Sequence, residues 1–377
     1  MNDTRTPVSL LAAFSAPELL NLLADGAYIT DKDRRILFWN RAAQSIMGWE
    51  SDEVVGRTCY DNILVHVDKD GHRLCGREYC PLHRSMVTGE VSNGAMLIYA
   101  LHKSGKRVPV EVTVAPIRNP AGEIIGGIEL FRDVTQSIQD QMRAKKIQEL
   151  AVTSELPQDD RLAFETCYQP SDLVGGDFYR IDRFGSARYA ILVADVMGHG
   201  VSAALGTMLL RSLWDDHRGE MATPARLLQS FDERLRKLSR EAGYFGTAVG
   251  LNYDAATGSL HCVRAGHPAP LLFRAHGGVE EIGEACPALG MFENAHFVET
   301  EVQLEPGDSL LLFTDGATEL FDAAERDLGS EGLVRLVREQ ANGNGFSLKN
   351  LAEQLLKFTN AIHLPDDLTL VKLTRRK

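Results

Sequence analysis

Cysteine is scarce in this chain, with six in 377 residues, which argues against the disulfide framework of a secreted protein. Long apolar runs are missing too. Nothing approaches the roughly 18 consecutive residues that a membrane-spanning helix needs, so no membrane partner is expected. The N-terminal stretch MNDTRTPVSLLAAFSAPELL holds a short apolar segment, but Asp3 and Glu18 flank it and it lacks the cationic region and cleavage-type site of an export signal. A cytoplasmic location is the simplest expectation. Positive charge is in deficit, with 40 Lys and Arg against 52 Asp and Glu for a net charge of −12. A phosphate backbone would be repelled on average, so no nucleic-acid partner is expected and a nuclease is disfavoured. What remains is 44% apolar and 24% charged residues, the balance of a folded protein. The length suggests two cores at about 100 to 200 residues per domain.

In the first half, DGAYITDKDRRILFWNRAA from Asp25 reads as a hairpin: β-type runs at Ala27 to Thr30 and Ile36 to Trp39 flank a polar turn. A helical stretch follows at Arg41 to Met47. Three further strands, Gly94 to His102, Val108 to Ile117 and Ile124 to Phe131, are separated by KSGK and NPAG turns. This predicts an α+β domain on a five-stranded antiparallel sheet. The segments DGAYITDKDRRILFWNRAAQSIMGWESDEVVGRTC and KSGKRVPVEVTVAPIRNPAGEIIGGIELFRDVT, with their closing DVT, resemble a PAS domain over residues 15–134, after a tail of residues 1–14. The resemblance implies a sensor of a ligand, redox state or protein contact that often dimerises.

Residues 135–157 lack glycine and carry an imperfect apolar stripe of Ile138, Met142, Ile147, Leu150 and Ala151, which predicts a helical linker ending near Pro157. It reads either as a solvated spacer or as a coiled-coil seam of a homodimer.

From residue 158 to 377 β-type segments dominate, at Leu162 to Tyr168, Arg188 to Val196, Phe245 to Tyr253, Ser259 to Ala265, Pro270 to Phe273, His296 to Leu304, Ser309 to Thr314 and Leu368 to Thr374. Helical patterns fall at Val201 to His217, Pro224 to Ala242, Glu331 to Gln340 and Ser347 to Ile362. Without strict βαβ alternation, a two-sheet sandwich flanked by helices fits this order. Acidic residues recur at its strand ends, in GGDFY (Gly175 to Tyr179), ILVADVMGHG (Ile191 to Gly200), LLLFTDGATEL (Leu310 to Leu320) and PDDLTLV (Pro365 to Val371). One such motif is more often a solvated turn. Several carboxylates converging from buried strands repel one another unless a cation lies between them. Hard ions such as Mn2+ or Mg2+ take oxygen ligands and keep waters, as a hydrolytic centre requires.

These four motifs in order, with D-x-x-G-H-G-x-x-A-A-L at Asp195 to Leu205 and AGHPAPLL at Ala265 to Leu272, are similar to the SpoIIE-type branch of the PPM phosphatases, which includes the RsbU and RsbP class. The resemblance implies an α-β-β-α sandwich and a protein serine/threonine phosphatase holding two Mn2+ or Mg2+ ions. In it Asp195 would bridge both ions, Asp177 and the Val196 carbonyl would serve one, and Asp315 with Asp366 the other. Asp367 is the alternative to Asp366, because adjacent strand residues face opposite ways. The implied mechanism is attack of a metal-bridged hydroxide on phosphoserine or phosphothreonine, and the implied substrate is an anti-sigma-factor antagonist of the STAS type in a partner-switching pathway. Two departures stand out: Leu173 and Val174 precede the Gly pair where eukaryotic relatives have a phosphate-binding Arg, and Asp195-Val196-Met197 replaces DGH. The general acid is thus unassigned. His199 and His267 are read first as local hydrogen-bonding residues.

One further cluster lies in the PAS segment, where Cys59, Cys75, Cys80 and His83 are spaced C-x15-C-x4-C-x2-H, with His66 and His72 between. Thiolate and imidazole ligands would suit Zn2+ or an iron-sulfur cluster. The plainer reading is buried free cysteine beside surface histidine.

Overall fold

The computed structural model describes residues 14–376 apart from 77–78, 93, 153–154, 199, 244, 341–344 and 361–363. His199 and nearly all of the 1–14 tail therefore lie outside the described residues. The chain divides into two compact units, Met1–Asp140 and Gln141–Lys377.

In the first unit, α1 (Ala16–Leu20) precedes a hairpin of β1 (Gly26–Asp31) and β2 (Ile36–Trp39). Its turn closes where Asp31 Oδ1 accepts the Arg35 N–H at 2.8 Å and Arg34 adopts φ 62°. The short helices α2 (Arg41–Met47), α3 (Ser51–Val54) and α4 (Pro81–Thr88) follow, then β3 (Met96–Leu101), β4 (Arg107–Arg118) and β5 (Ile124–Asp133). The five strands pair antiparallel in the order β2-β1-β5-β4-β3. Asn40 joins helix to sheet. Its Oδ1 caps α2 by accepting the Ala43 N–H and also accepts that of Ala27, while Nδ2 donates to the carbonyls of Leu20 and Asp25. The core lies on one sheet face, where Tyr28, Trp39 and Phe131 meet with ring centroids 5.7 to 6.4 Å apart beneath Met47, Ile63, Leu64 and Leu82. A Cβ on Gly127 would lie 2.7 Å from Leu82 Cδ1, so glycine lets α4 approach the sheet.

Helix α5 (Thr135–Val152) runs across the boundary between the units. The second unit holds β6 (Leu162–Gln169), β7 (Asp177–Phe184), β8 (Arg188–Val196), α6 (Gly200–Asp216), α7 (Pro224–Ala242), β9 (Gly246–Asp254), β10 (Ser259–Ala265), β11 (Leu271–Phe273), β12 (Val279–Glu281), β13 (Ala285–Cys286), β14 (Thr300–Gln303), β15 (Ser309–Phe313), α8 (Gly329–Gln340), α9 (Leu348–Thr359) and β16 (Leu368–Arg375). One sheet runs β13-β10-β9-β8-β7 with β14 also on β10, and the other runs β12-β11-β15-β16-β6. Ile191, Val193, Val249 and Leu251 of the first sheet and Leu310, Leu312, Val371 and Leu373 of the second share one core, which also takes in Leu210, Trp214, Leu228 and Phe231 from α6 and α7. The alternate side chains Leu311, Phe313, Leu368 and Leu370 turn outward against Leu333, Val337, Leu351 and Leu355 of α8 and α9. The layers are helix, sheet, sheet, helix.

Strand β7 is absent from the expected elements. Arg180, Asp182 and Arg183 interrupt its apolar pattern. In the fold the Arg180 and Asp182 charges pair at 3.2 Å, and Asp182 Oδ2 also accepts the Trp214 Nε1–H at 2.8 Å, so a strand with buried Phe178, Tyr179 and Ile181 can carry them. The strand expected at His296 to Leu304 is shorter, Thr300–Gln303.

Candidate active site

The carboxylates gather at one end of the sandwich because four strand ends meet there. Asp177 opens β7 and Asp195 lies one residue before the end of β8, and the two are register partners. Directly opposed carboxylates repel. Asp315 begins a short 3-10 turn just past β15, and Asp366 stands two residues before β16, whose Leu370 pairs with Phe313.

Asp177 is 1% exposed. Its Oδ2 accepts the hydroxyls of Thr314 and Thr369, both at 2.7 Å, while Oδ1 is buried with no hydrogen-bond partner. Burial, then the charge of Asp195, holds its carboxyl well above the usual range, against the pull of the two threonines. Burial also pushes Asp195 up to about 7, with further contributions from Asp315, Asp366, Asp367 and Glu319. Asp315 is raised by burial, then by Asp366 and Glu319. These three neighbouring acids thus resist ionisation where water is partly excluded, a state that a bound cation reverses.

Asp366 and its neighbour differ sharply. Asp366 is exposed, and its Oδ1 accepts the Asp367 N–H at 2.7 Å. Asp367 is buried and fully engaged. Oδ1 accepts the N–H and hydroxyl of Ser171 at 2.7 and 3.0 Å, and Oδ2 accepts the Gly176 N–H at 2.6 Å. Asp367 therefore pins the loop leading into Asp177.

Two glycines fix the close approaches. A Cβ on Gly176 would lie 2.6 Å from the Val196 carbonyl oxygen, and one on Gly316 would lie 1.9 Å from that of Asp367. The Val196 N–H donates to Gly176 O at 3.1 Å, which turns the motif backbones toward each other. The orphaned Asp177 oxygen, the all-oxygen donor set and this glycine cradle fit a hard divalent cation. The acids stand in an open arrangement. Among the described residues, the one group with three candidate ligand atoms mutually within 4.8 Å is Asp68, Asp70 and His72, in an exposed loop of the other unit where Asp68 Oδ1 already accepts the N–H groups of Asp70 and His72.

His267 is 3% exposed, and burial pushes it down to about 3, so it is neutral. Its Nδ1 shares a hydrogen bond of 2.8 Å with the hydroxyl of Thr247, the register partner of Asp195. That fits a positioning role and not proton transfer. The threonines on Asp177, Glu319 near Asp195 and Asp315, and Gln148 went unrecognised in the sequence. The Thr residues do stand beside the acids in FTDG and DDLT. Gln148 on α5 is 4% exposed. It donates to Gly175 O at 2.6 Å and to Thr207 Oγ1 at 2.9 Å, and accepts the Gly175 N–H at 3.2 Å.

The metal or cluster site expected in the PAS segment does not form. Cys59, Cys75 and Cys80 are buried, but with His83 they make no group of three ligand atoms within 4.8 Å. Cys59 packs in the apolar core, Cys75 Sγ accepts the His66 N–H at 3.0 Å, and His83 lines a separate surface groove with Lys32, Met86 and Arg118.

A four-layer sandwich with acids at the strand ends is the architecture of a PP2C-type phosphatase domain. The solved SiaA-PP2C domain of Pseudomonas aeruginosa superposes with a TM-score of 0.55 at 25% identity, covering 65% of this chain and 99% of that one. The family model described as Stage II sporulation protein E (SpoIIE) matches residues 185–376, just over half of the chain, and the chain belongs to that family. A second model, described as PAS fold, matches residues 20–139. Phosphoserine phosphatase RsbP of Bacillus subtilis (strain 168) is 33% identical over 177 residues, 46% of this chain and 43% of RsbP. Phosphoserine phosphatase RsbU of the same organism is 25% identical over 251 residues, 66% of this chain and 74% of RsbU. The match thus spans less than half of RsbP.

Proposed function

We propose that this chain is a PAS-regulated, metal-dependent protein serine/threonine phosphatase. The observation that carries the reading is Asp177, a wholly buried carboxylate with one oxygen held by two threonines and the other without a partner, facing Asp195 across a strand pair. Such a group costs several kcal/mol unless a cation completes it. Asp177, Asp195, Asp315, Asp366 and the Val196 carbonyl would hold two Mn2+ or Mg2+ ions. When bound, such ions polarise a phosphoryl oxygen and acidify water.

The protein's own contribution is placement. Thr314 and Thr369 fix the Asp177 rotamer, Asp367 fixes the loop before it, and exposed Asp366 and half-buried Asp315 leave the site open to a phosphorylated side chain. The RsbP and RsbU relatives are named phosphoserine phosphatases, which favours a phosphoserine substrate. We extend this to a STAS-type anti-sigma-factor antagonist, to action as a homodimer joined through the PAS unit and α5, and to a cytoplasmic setting. Among the described residues no helix is long and apolar enough to cross a membrane.

The test is hydrolysis of p-nitrophenyl phosphate and of a phosphoserine STAS protein by the full chain, with and without Mn2+. Metal-dependent turnover that falls at least about a hundredfold in Asp195→Asn supports the reading. Absence of turnover by folded wild type in Mn2+ and in Mg2+, with the PAS unit present or removed, sinks it.

A further inference from the structure

One recess of the second unit borders the acid cluster without belonging to it. Helix α5, the loop after β6 and the end of α9 enclose about 360 Å³, and the walls include Lys145, Tyr168, Ser171, Asp172, Leu356 and Leu364. Three positions tie this recess to the acids. Ser171 gives its N–H and its hydroxyl to Asp367 at 2.7 and 3.0 Å. Tyr168 is the register partner of Thr369, whose hydroxyl holds Asp177. Gln148, three residues beyond Lys145 on α5, donates to the Gly175 carbonyl at 2.6 Å, two residues before Asp177. The 171–176 loop is therefore a wall common to the recess and the acids. Polar capacity in the recess is unused. Lys145 is half-buried, is the one cation among the described residues of the lining, and forms no ion pair. The one acid of that lining, Asp172, has its Oδ1 engaged by the Leu173 N–H at 2.7 Å. The Tyr168 hydroxyl is buried without a hydrogen-bond partner. Burial, then the charges of Asp367 and Asp177, keep that hydroxyl protonated, so it remains a donor. An acceptor entering the recess would offset its desolvation.

Resting on the phosphatase reading, we propose that this recess receives an acidic side chain flanking the phosphoserine of the protein substrate, with Lys145 as its ion-pair partner and Tyr168 as a hydrogen-bond donor. With the phosphoryl group at the acids, a residue one or two positions along an extended substrate lies about 3 to 7 Å further on, and the structure to be crossed is the single loop at Ser171. A cation there also offsets the repulsion that the acid cluster exerts on an acidic segment. Leu356 and Leu364 give the aliphatic part of the entering side chain an apolar wall. Lys145 and Tyr168 act as positioning residues: they hold the substrate and take no part in the bond change.

The experiment is steady-state hydrolysis by the full chain in Mn2+ of p-nitrophenyl phosphate and of two phosphoserine peptides, one with Glu and one with Gln on both sides of the phosphoserine. Wild type is expected to show a KM at least about threefold lower for the Glu peptide. Lys145→Ala should abolish that preference by raising the Glu-peptide KM, while kcat stays within about twofold because the interaction lost is one of uniform binding. Lys145→Glu should raise the same KM about tenfold or more and make the Gln peptide the better substrate. Tyr168→Phe should raise it about threefold. p-Nitrophenyl phosphate has no flanking residue, so its turnover reports the acids and the fold in each variant. Equal KM values for the two peptides in wild type would overturn the proposal, as would a Glu-peptide KM left unchanged by Lys145→Glu or Tyr168→Phe. Turnover of p-nitrophenyl phosphate with neither peptide hydrolysed would overturn it too, and leaves the phosphatase reading standing. If wild type turns over none of the three, the phosphatase reading itself has failed and the recess falls with it.

Discussion

Asp366 and Asp367 are neighbours with the same side chain, and their surroundings assign them different work. Asp367 accepts three donors from the 171–176 loop, and charge-assisted hydrogen bonds of this kind stabilise by about 1.5 to 3 kcal/mol each when buried. Asp367→Asn is expected to destabilise the fold by about 2 kcal/mol in urea titration. Asp366→Asn should change stability by less than about 0.5 kcal/mol, while metal-dependent kcat falls at least about a hundredfold. The reverse pattern would exchange the two roles. Asp195 makes a pH-dependent prediction. Its folded carboxyl is raised to about 7 against about 3.9 in an unfolded chain. Between those values the folded state holds the extra proton, so the contribution to stability is full below about pH 4 and is lost as pH rises through about 7. Metal-free protein should therefore lose Tm from pH 5 to pH 8, and Asp195→Asn should remove about 2 kcal/mol of that loss. Saturating Mn2+ should restore Tm at pH 8 in wild type alone. A wild-type melt that is flat with pH, or a cation effect that survives in Asp195→Asn, would refute the assignment.

At the scale of elements, α5 presents two faces. Its amide Gln148 faces inward onto Gly175 and Thr207, whereas Met142, Ile147 and Leu150 are 57%, 58% and 77% exposed. Gly175 and Gly176 lead directly into Asp177, so the helix bears on the motif through one side chain. Gln148→Ala leaves a buried N–H and C=O of Gly175 without partners, and should cost about 1 to 3 kcal/mol with a several-fold drop in kcat. Ile147→Ala on the opposite face should change stability by less than about 0.5 kcal/mol. Equal effects of the two substitutions in a denaturation series would contradict this view of the helix. Of the apolar residues read from the sequence, Met142, Ile147 and Leu150 lie exposed, while the polar Gln148 among them carries the contact.

For the whole molecule, that exposed stripe bears on assembly. If two copies pair along α5, Leu150→Glu should convert a dimer to a monomer in analytical ultracentrifugation, because the charge would be buried at the seam. A wild type that sediments as a monomer at micromolar concentration would refute the seam. Legibility along the chain was uneven. The hairpin at Asp25 to Trp39 and the strands around Val112 and Val249 could be read because apolar alternation and turn residues are local signals. Strand β7 could not, since Arg180 and Asp182 satisfy each other and Trp214 only after folding.

The order of the motifs was determined by sequence alone: four acidic strand ends and a PAS-like segment ahead of them, all in local residue patterns. Tertiary structure decided that Asp366 is exposed and Asp367 buried, that two threonines hold Asp177, that Gln148 reaches Gly175, and that Cys59, Cys75, Cys80 and His83 do not share a ligand shell. Those outcomes depend on side-chain direction and on partners as far apart in the chain as Ser171 and Asp367, and spacing along a sequence carries neither.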